Sequence, residues 1–406
     1  MADAIDTSHQ GYRMLLIDLW NTNRSQLTDK HIQQIIAFAG DGALTDSASA
    51  PAEFRHFLRH VHSDEIRRYI EECLASTFPR SGEALQDLVN EIARRLGFDV
   101  SPGRYSGLPN QANQDGVWRF SDGHTVVVEV KTSDTYRIDI DKIAGYRDIL
   151  AREGSLDPDA VSMLIVVGRG DTRGIEAQIR GSKHAWGMRI ISAEALVRLL
   201  MLREQADDPP VVHGIHGVLL PQEFTRLDGI VELLFSATEE AREALNEVAL
   251  EVDEIDTPDV VRPTPVAFGQ ACVERIETYL DTTLVKRSRV AYASPDGTMA
   301  LVCLVSKYHE QQARYWYAFH DHQHAFLGET DVAYVALGCG SSDTLCLIPH
   351  GELSSRLAQL NTTQQGDRSY WHLHVRCDAE RKEIIMRGGL PVWNIEQYFL
   401  PAESEA

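Results

Sequence analysis

The amino-acid sequence predicts an α/β protein whose central part carries a mixed β-sheet flanked by helices. Helical and strand-like patterns alternate along residues 82–204, which is the order typical of α/β layers. The run Ser162–Val167 is short and mostly apolar without polar alternation, which indicates a strand buried on both faces. After residue 266 short strand patterns separated by turns predominate, so a mostly antiparallel α+β domain is expected to follow.

Composition limits the classes of protein to consider. Of the 406 residues, 43% are hydrophobic and 24% are charged, which is typical of a folded chain of two or three domains. No window approaches the roughly 20 continuous apolar residues of a membrane helix, and Met1–Gln10 lacks the pattern of a secretory signal. No membrane partner is therefore expected. The six cysteines are scattered without a CxxC pair, so a reducing cytoplasm is expected.

The net charge of −21, taken alone, argues against a nucleic-acid partner. The charge is unevenly spread, however, because nine acidic residues accompany one basic residue between Glu239 and Asp259. Sites that cut DNA also need carboxylates of their own. The overall sign therefore weakens a DNA hypothesis but does not decide it.

Four segments are predicted. Residues 1–80 form a helical N-terminal module, residues 81–206 form the α/β core, residues 207–265 form a helical connector with an acidic linker, and residues 266–406 form the α+β recognition domain. The amphipathic runs of the module are Tyr12–Asn21, His31–Phe38 and Phe54–Leu74. The connector opens at two Asp and two Pro residues and contains the helical segment Phe224–Leu250.

The core elements follow from local periodicity. Ala84–Leu96 has apolar residues on one helical face and is stopped by Gly97. Thr125–Lys131 is β-branched and follows a Ser-Asp-Gly turn, so it is predicted as a strand. The other core elements are, in order, extended Phe98–Tyr105 and Asp115–Phe120, helix Ile138–Leu150, strand Ser162–Val167, helix Arg173–Gly181, strand Gly187–Ile191 and helix Ala193–Arg203 capped by Ser192.

The last domain is predicted to begin with the helix Ala267–Leu280 and to contain one more helix, Leu353–Leu360. Its predicted strands are Arg289–Ala293, Met299–Ser306, Tyr315–Phe319, Ala333–Leu337, Thr344–Ile348, Tyr370–Arg376 and Glu383–Met386.

Two acidic residues and a lysine carry the chemical prediction. Thirteen residues separate Asp115 from Glu129, so a hairpin brings the start of one strand beside the end of the next. Because side chains alternate faces along a strand, Glu129 and Lys131 point the same way. Burying charge is costly unless the charge is paired or bound to a metal. The alternative interpretation is an ordinary hairpin with a surface Glu/Lys pair.

These residue types fit phosphodiester hydrolysis. Asp115 and Glu129 supply the hard oxygen ligands that Mg²⁺ prefers. A bound ion would neutralise the charge that develops on the phosphate and acidify its bound water. Lys131 would lie near the attacking water or the phosphate as a point charge.

The segment around these residues resembles the PD-(D/E)XK nuclease superfamily, and Mrr-type restriction endonucleases in particular. In those proteins a helix of the form G-x-x-L-E-x-L-V ends in L-G-F and leads to D-G-x and then to hydrophobic-E-V-K. The matching text here is GEALQDLV from Gly82, then LGF from Leu96, DG from Asp115 and VEVKT from Val128. The resemblance covers about 120 residues, from Gly82 to Arg203.

The resemblance implies a restriction-endonuclease-like core and a Mg²⁺-dependent DNA endonuclease, with Mn²⁺ as an alternative ion. It also implies a role in bacterial restriction or anti-phage defence, alongside partner proteins of a defence system. The implied metal-binding positions are Asp115, Glu129 and Val130, with Lys131 assisting catalysis. Because cutting two strands usually needs two sites, a homodimer is a further expectation.

Gln86 departs from the superfamily pattern, in which this helix often supplies a Glu. At 100° per residue, Gln86 and Asn90 fall on one flank of the apolar face and Glu91 falls on the other. Glu83 and Asp87 point roughly opposite the core. Gln86 is therefore expected to face the site and to support a metal-bound water. Its lack of charge also keeps two alternatives open: an inactive DNA-binding or interaction protein on a degenerate nuclease scaffold, and an RNA-directed nuclease.

Residues after the lysine have two interpretations each. Thr132, Ser133 and Arg137 either contact phosphate or belong to a loop that caps the helix starting near residue 139. Tyr146 and Arg147 lie on that helix, where related nucleases often place auxiliary site residues, and Tyr146 fits the core equally well.

Aromatic and histidine residues cluster between Tyr315 and His324, and a second group follows Tyr370. If the first strand continues, His320, His322 and His324 share one face, and His372 and His374 alternate likewise. A metal site, exposed histidines beside a sheet core, and a surface for nucleic-acid bases all fit this pattern. In the last case the phosphate contacts would come from Lys286, Arg287, Arg289, Lys307 and Arg314.

Overall fold

The computed structural model describes residues 15–75, 78–107, 111–121, 123–132, 138–154, 157–168, 172–206, 209–220, 265–309, 312–365, 368–378 and 381–401. These residues form two compact units. The first contains the described chain up to Met201 and from His216 to residue 220, and the second contains Leu202–Ile215 and the chain from residue 265. The predicted acidic linker and the helix predicted at 224–250 lie outside the described residues.

Six helices precede the sheet of the first unit within the described residues. They are α1 (Leu15–Thr22), α2 (Ser25–Thr28), α3 (Ile32–Phe38), α4 (Ala50–Leu58), α5 (Ser63–Ala75) and α6 (Ser81–Arg95). The start of the predicted run Tyr12–Asn21 lies outside the described residues. The single amphipathic run predicted over Phe54–Leu74 is wrong in one respect, because it is broken between α4 and α5.

Arg95 gives a physical reason for that break. Its guanidinium donates to the main-chain oxygens of Leu58 and Val61, at 2.8 and 2.7 Å, and to Oγ of Ser63 at 2.8 Å. It also pairs with Glu91, at 3.0 Å between Nε and Oε1. Carbonyls at a helix end have no partner within the helix, so this buried cation satisfies them where α4 ends.

A five-stranded mixed sheet follows the helices, in the order β1-β2-β3-β4-β5. The first two strand pairings are antiparallel and the last two are parallel. The expectation of an α/β unit with a mixed sheet flanked by helices is confirmed. The strands are β1 (Asp99–Pro102), β2 (Gly116–Arg119), β3 (Thr125–Lys131), β4 (Val161–Val167) and β5 (Met188–Ser192), and the helices are α7 (Ile140–Glu153), α8 (Arg173–Arg180), α9 (Ala193–Gln205) and α10 (Pro209–Leu219).

Helices α6 and α7 cover opposite faces of the sheet. Trp118 donates from Nε1 to Oδ1 of Asn90 on α6, at 2.9 Å. Val117 precedes Trp118 on the same strand, so its side chain points to the other face. It pairs with Val127 of β3, which packs with Ile143 of α7. Strand β4 is buried along its whole length, as its apolar pattern predicts. Ser192 caps α9 by accepting from the amide of Ala195, at 3.0 Å.

The outer side of α6 is buried as well. Asp87, expected to point away from the core, does point away from the sheet but accepts from Nε of Arg55 on α4, at 2.7 Å. The Tyr105 hydroxyl donates to the same carboxylate. Burial raises the pKa of Asp87 to about 6, against the opposing charge of Arg55. The helix is therefore packed between the sheet and the N-terminal helices.

The second unit contains two further five-stranded sheets among its described residues. The first has the order β11-β10-β8-β7-β6, in which β8 and β10 are parallel and the other pairs are antiparallel. The second joins β12, β13, β14 and β15 in antiparallel order, with β9 also pairing with β13. The mostly antiparallel character predicted for this part of the chain matches these pairings.

The elements of the second unit are bounded as follows. They are α11 (Pro265–Leu280), β6 (Val285–Lys286), β7 (Ala291–Ala293), β8 (Met299–Ser306), β9 (Tyr315–His320), α12 (Asp321–Leu327), β10 (Val332–Cys339), β11 (Leu345–Pro349), α13 (His350–Ser354), β12 (Asn361–Gln365), β13 (Arg368–Cys377), β14 (Lys382–Ile384) and β15 (Trp393–Asn394).

Two expectations for this unit are corrected. Strand β9 ends at His320, where the side chain of Gln323 accepts from the His320 amide and α12 begins. His322 and His324 therefore lie on a helix, and the face they would share with His320 if the strand continued does not form. The helix predicted over Leu353–Leu360 is shorter, because α13 ends at Ser354 and only a single 3₁₀ turn follows. None of the helices in the described ranges is long and apolar enough to cross a membrane.

Candidate functional site

Asp115 and Glu129 lie opposite each other at one end of the β2–β3 pair. The register pairs Gly116 with Val128, so the two acidic residues are the next positions along the strands. The amide of Asp115 donates to the carbonyl of Val128 at 2.9 Å. Oδ2 of Asp115 accepts from the amide of Val130 at 2.7 Å. The aspartate carboxylate is therefore anchored to the strand that carries the glutamate.

Lys131 contacts Glu129 on the same face of β3. Its ammonium donates to Oε1 of Glu129, and the two side chains are 32% and 13% exposed. The other carboxylate oxygen, Oε2 of Glu129, is buried without a hydrogen-bond partner among the described residues. A buried acceptor without a donor is uncommon and costly, which makes this oxygen a candidate ligand for a cation.

The site concentrates negative charge. Burial and the neighbouring Glu129 carboxylate raise the pKa of the Asp115 carboxyl well above its usual range, while the Val130 amide and Lys131 oppose the shift. The carboxylate of Glu83 contributes in the same direction as Glu129. Glu83 is thus electrostatically coupled to the site, although it was expected to point opposite the core. Crowded carboxylates of this kind favour either a proton or a cation between them.

Gln86 and Asn90 hold the main chain at Asp115. Nε2 of Gln86 and Nδ2 of Asn90 both donate to its carbonyl oxygen, at 3.0 and 2.9 Å. Both residues lie on α6, on the opposite face of the sheet from Glu129. Gln86 thus contacts the backbone of the candidate ligand rather than its carboxylate, and the water-supporting role expected for it stays a prediction.

A close approach requires the glycine that follows Asp115. A Cβ atom at Gly116 would lie 2.2 Å from Oδ1 of Asn90 and 3.2 Å from Nε1 of Trp118. The side chain of Asn90 accepts from Trp118 and donates to Asp115, so it cannot move away without breaking these two hydrogen bonds. Sequence reasoning placed Asn90 behind Gln86 and missed this bridge. The four-residue spacing of the two amides was the signal that could have indicated it.

Only some of the residues predicted to assist the site after Lys131 lie within the described ranges. Thr132 is exposed, whereas Ser133 and Arg137 lie outside the described residues. Tyr146, on α7, is buried in the core cluster that includes strand β4, and Arg147 pairs with Asp148 at 2.7 Å. These contacts favour a structural role for Tyr146.

Lys142 is a charged neighbour that sequence reasoning did not identify. Its pKa is raised chiefly by a hydrogen bond to Tyr146, with Glu129 among the smaller causes. Lys142 is exposed on α7, one turn before Tyr146.

The donor set fits a magnesium ion better than a zinc ion. Within the described ranges no three His, Cys, Asp or Glu side chains group closely enough to hold a metal. Mg²⁺ is commonly held by only one or two carboxylates together with water and substrate phosphate. Asp115 and the buried oxygen of Glu129 supply two such ligands, and Val130 can contribute only through its main-chain carbonyl.

The histidines of the second unit contact one another and nearby polar groups. His324 and His350 share a hydrogen bond of 2.7 Å between Nδ1 and Nε2. His372 contacts both Trp316 and Thr363. In the described part of this unit the histidines do not gather into a metal-binding group.

Neither a protein-family model nor a curated protein sequence matches the chain.

Proposed function

We propose that this protein is a metal-dependent DNA endonuclease that hydrolyses phosphodiester bonds. Its active-site residues in this proposal are Asp115, Glu129 and Lys131. The observation that carries the proposal is the buried Oε2 of Glu129, which has no hydrogen-bond partner in the described part of the chain and lies beside a second carboxylate and an ammonium group. The PD-(D/E)XK resemblance and a mixed sheet in which β3 lies between an antiparallel and a parallel neighbour support it.

Each residue has a distinct task in this proposal. Asp115 and Glu129, with the main-chain carbonyl of Val130, would hold Mg²⁺ or Mn²⁺. When bound, the ion supplies Lewis acidity toward the phosphate and makes a bound water more acidic. Lys131 holds its ammonium beside Glu129 and is placed to donate a hydrogen bond to a phosphate oxygen or to the attacking water. Gln86 and Asn90 act as positioning residues, because they fix the main chain at Asp115.

Replacing Lys131 tests the proposal directly. Lys131→Ala should leave the circular dichroism spectrum unchanged and lower the rate of Mg²⁺-dependent cleavage of plasmid and linear duplex DNA by about 100-fold or more. Lys183→Ala removes an exposed lysine of the same unit and should cut at the rate of the unmodified protein. If Lys131→Ala also cuts at that rate, the proposed mechanism is wrong.

One observation favours a second candidate, a DNA-binding protein without catalysis. The amide of Gln86 is used in a structural bond where the related helix often supplies a carboxylate. Binding of several DNA forms without cleavage, in either Mg²⁺ or Mn²⁺, would favour this candidate. Substituting RNA for DNA in the same assay distinguishes an RNA-directed nuclease.

A homodimer belongs to the proposal, because cutting two strands usually needs two sites. A role in restriction or anti-phage defence, with partner proteins of such a system, is proposed on the resemblance alone. The mass of the protein in solution with and without duplex DNA tests the dimer.

A further inference from the structure

A row of aromatic rings lies on the outer face of strands β9 and β13. Along these antiparallel strands Tyr317, Phe319 and Leu373 point inward and are buried. The alternate residues point outward, and we call the five of them that carry rings the tryptophan–histidine face: Trp316, His320, Tyr370, His372 and His374. Ala318 lies between Trp316 and His320 on the same side. Trp316 is 38% exposed, and the other four are partly exposed. An outward set made of aromatic and imidazole rings is unusual for the solvent side of a sheet.

The rings touch one another in a continuous series. The Tyr370 centroid lies 5.2 Å from that of His320 and 5.0 Å from that of His372. His372 stacks on His374 at 5.7 Å with planes 10° apart, and Trp316 lies 5.9 Å from His372. The rings therefore form a continuous aromatic surface along the two strands.

Hydrogen bonds fix the orientation of the central ring. Nε1 of Trp316 donates to Nδ1 of His372 at 3.0 Å, so the proton of this imidazole lies on Nε2. Nε2 of His372 then donates to Oγ1 of Thr363 at 2.7 Å. A surface that is already ordered loses little side-chain entropy when a ligand binds.

The charge around the face suits an anionic backbone. Burial, Arg314 and His372 lower the pKa of His374 to about 4, so its ring is neutral near pH 7. Arg314 directs its guanidinium to Oε1 of Gln312, at 3.0 and 2.8 Å, rather than to a carboxylate. The described residues of the β8–β9 connection and of β9 include Lys307 and Arg314 but no acidic residue. Over residues 307–320 the sequence has Lys307 and Arg314 against one acidic residue, Glu310, whereas the whole chain has a net charge of −21.

We propose that the tryptophan–histidine face binds single-stranded nucleic acid, with unpaired bases stacked on the rings and a phosphate near Arg314. Unpaired bases expose the π-faces that such a surface can stack against, whereas a duplex hides them. A surface that binds a protein partner would be expected to be mostly apolar. Here every ring except those of Trp316 and Tyr370 is an imidazole, which is polar. This site lies in the second unit and does not depend on the endonuclease proposal.

Fluorescence anisotropy with a labelled 12-residue oligodeoxythymidine tests the proposal, using the full chain in EDTA so that no cleavage occurs. Trp316→Ala should weaken binding by about fivefold or more. Trp316→Phe keeps a stacking ring and should retain most of the affinity. Trp186→Ala removes a tryptophan that is 73% exposed in the first unit, and it should bind as the unmodified protein does. Arg314→Gln should weaken binding and reduce its salt dependence by about one phosphate contact.

Several outcomes would overturn the proposal. These are no binding of the oligonucleotide, equal affinity of Trp316→Ala and Trp186→Ala, or a 12-base-pair duplex bound as tightly as the single strand. A change in the mass of Trp316→Ala in solution, without a change in affinity, would identify the face as a protein interface instead. Because the assay contains no metal, its result is independent of whether Lys131→Ala abolishes cleavage.

Discussion

Asp115 occupies surroundings that oppose its own charge. Its carboxyl is partly buried and faces Glu129, and both effects raise its pKa. A structural residue would be expected to gain stability from its surroundings, whereas ligand-binding residues are often held at a cost in stability. The comparison of stability with and without metal therefore bears on the role of this residue.

Replacing Asp115 by Asn should stabilise the metal-free protein. In EDTA at pH 8, Asp115→Asn should raise the free energy of unfolding by about 1 kcal/mol, because it removes a charge but keeps an oxygen for the Val130 amide. Urea denaturation measures this change. Added Mg²⁺ should stabilise the unmodified protein and not the variant, because binding to the folded state alone raises stability.

Asp99→Asn is the matched control, since this carboxylate is 79% exposed and its effect should stay within about 0.5 kcal/mol. Equal stabilisation of Asp115→Asn and the unmodified protein by Mg²⁺ would count against a metal site at Asp115.

Gly116 is the second residue on which the geometry of the site depends. Gly116→Ala should lower the free energy of unfolding by about 2 kcal/mol, because the new Cβ would displace Asn90 from Asp115 and Trp118. Gly145→Ala on α7 meets open space and should leave stability unchanged or raise it by about 0.5–1 kcal/mol. Thermal unfolding of the two variants checks the contrast, and equal effects would contradict this account of Gly116.

Helix α6 connects the N-terminal helices to the sheet. Its sheet side carries Gln86 and Asn90, and its outer side carries Asp87 and Glu91 in buried ion pairs. Such pairs gain little over apolar packing but are costly to break, because one charge is then left buried. The position of α6, and with it the main chain at Asp115, therefore depends on these pairs.

Removing Arg95 tests this dependence. Arg95→Ala should lower the free energy of unfolding by about 3 kcal/mol, because buried Glu91 keeps only Arg94 as a partner and the carbonyls of Leu58 and Val61 lose their donor. Arg67→Ala removes two exposed ion pairs on α5, with Asp64 and Glu71, and should cost less than about 1 kcal/mol. Guanidinium denaturation measures both, and a small loss in Arg95→Ala would show that the α4–α5 junction is held by other contacts.

The chain as a whole places its two proposed activities in different compact units. Lys131→Ala should abolish cleavage and keep affinity for the oligodeoxythymidine within about twofold, since mutations without shared contacts act independently. Trp316→Ala should keep the stabilisation by Mg²⁺. Anisotropy and thermal unfolding of the same two variants provide both readouts. Loss of both properties in either variant would mean that the two sites are coupled.

Local patterns in the sequence account for much of the first unit. Strand alternation over Thr125–Lys131 placed Glu129 and Lys131 on one face, and the short hairpin placed Asp115 opposite, as the structure has them. These features depend on residues close in sequence, so periodicity and turn chemistry suffice to predict them.

Contacts between distant residues decided the rest. Asp87 is buried because α4 covers it, the run Phe54–Leu74 is broken where Arg95 reaches its carbonyls, and Gln86 bonds to the main chain of a strand 29 residues away. A helical pattern specifies which residues share a face, but it does not specify what that face meets. That choice depends on the packing of the whole unit, where the burial of each polar group must be balanced by a partner.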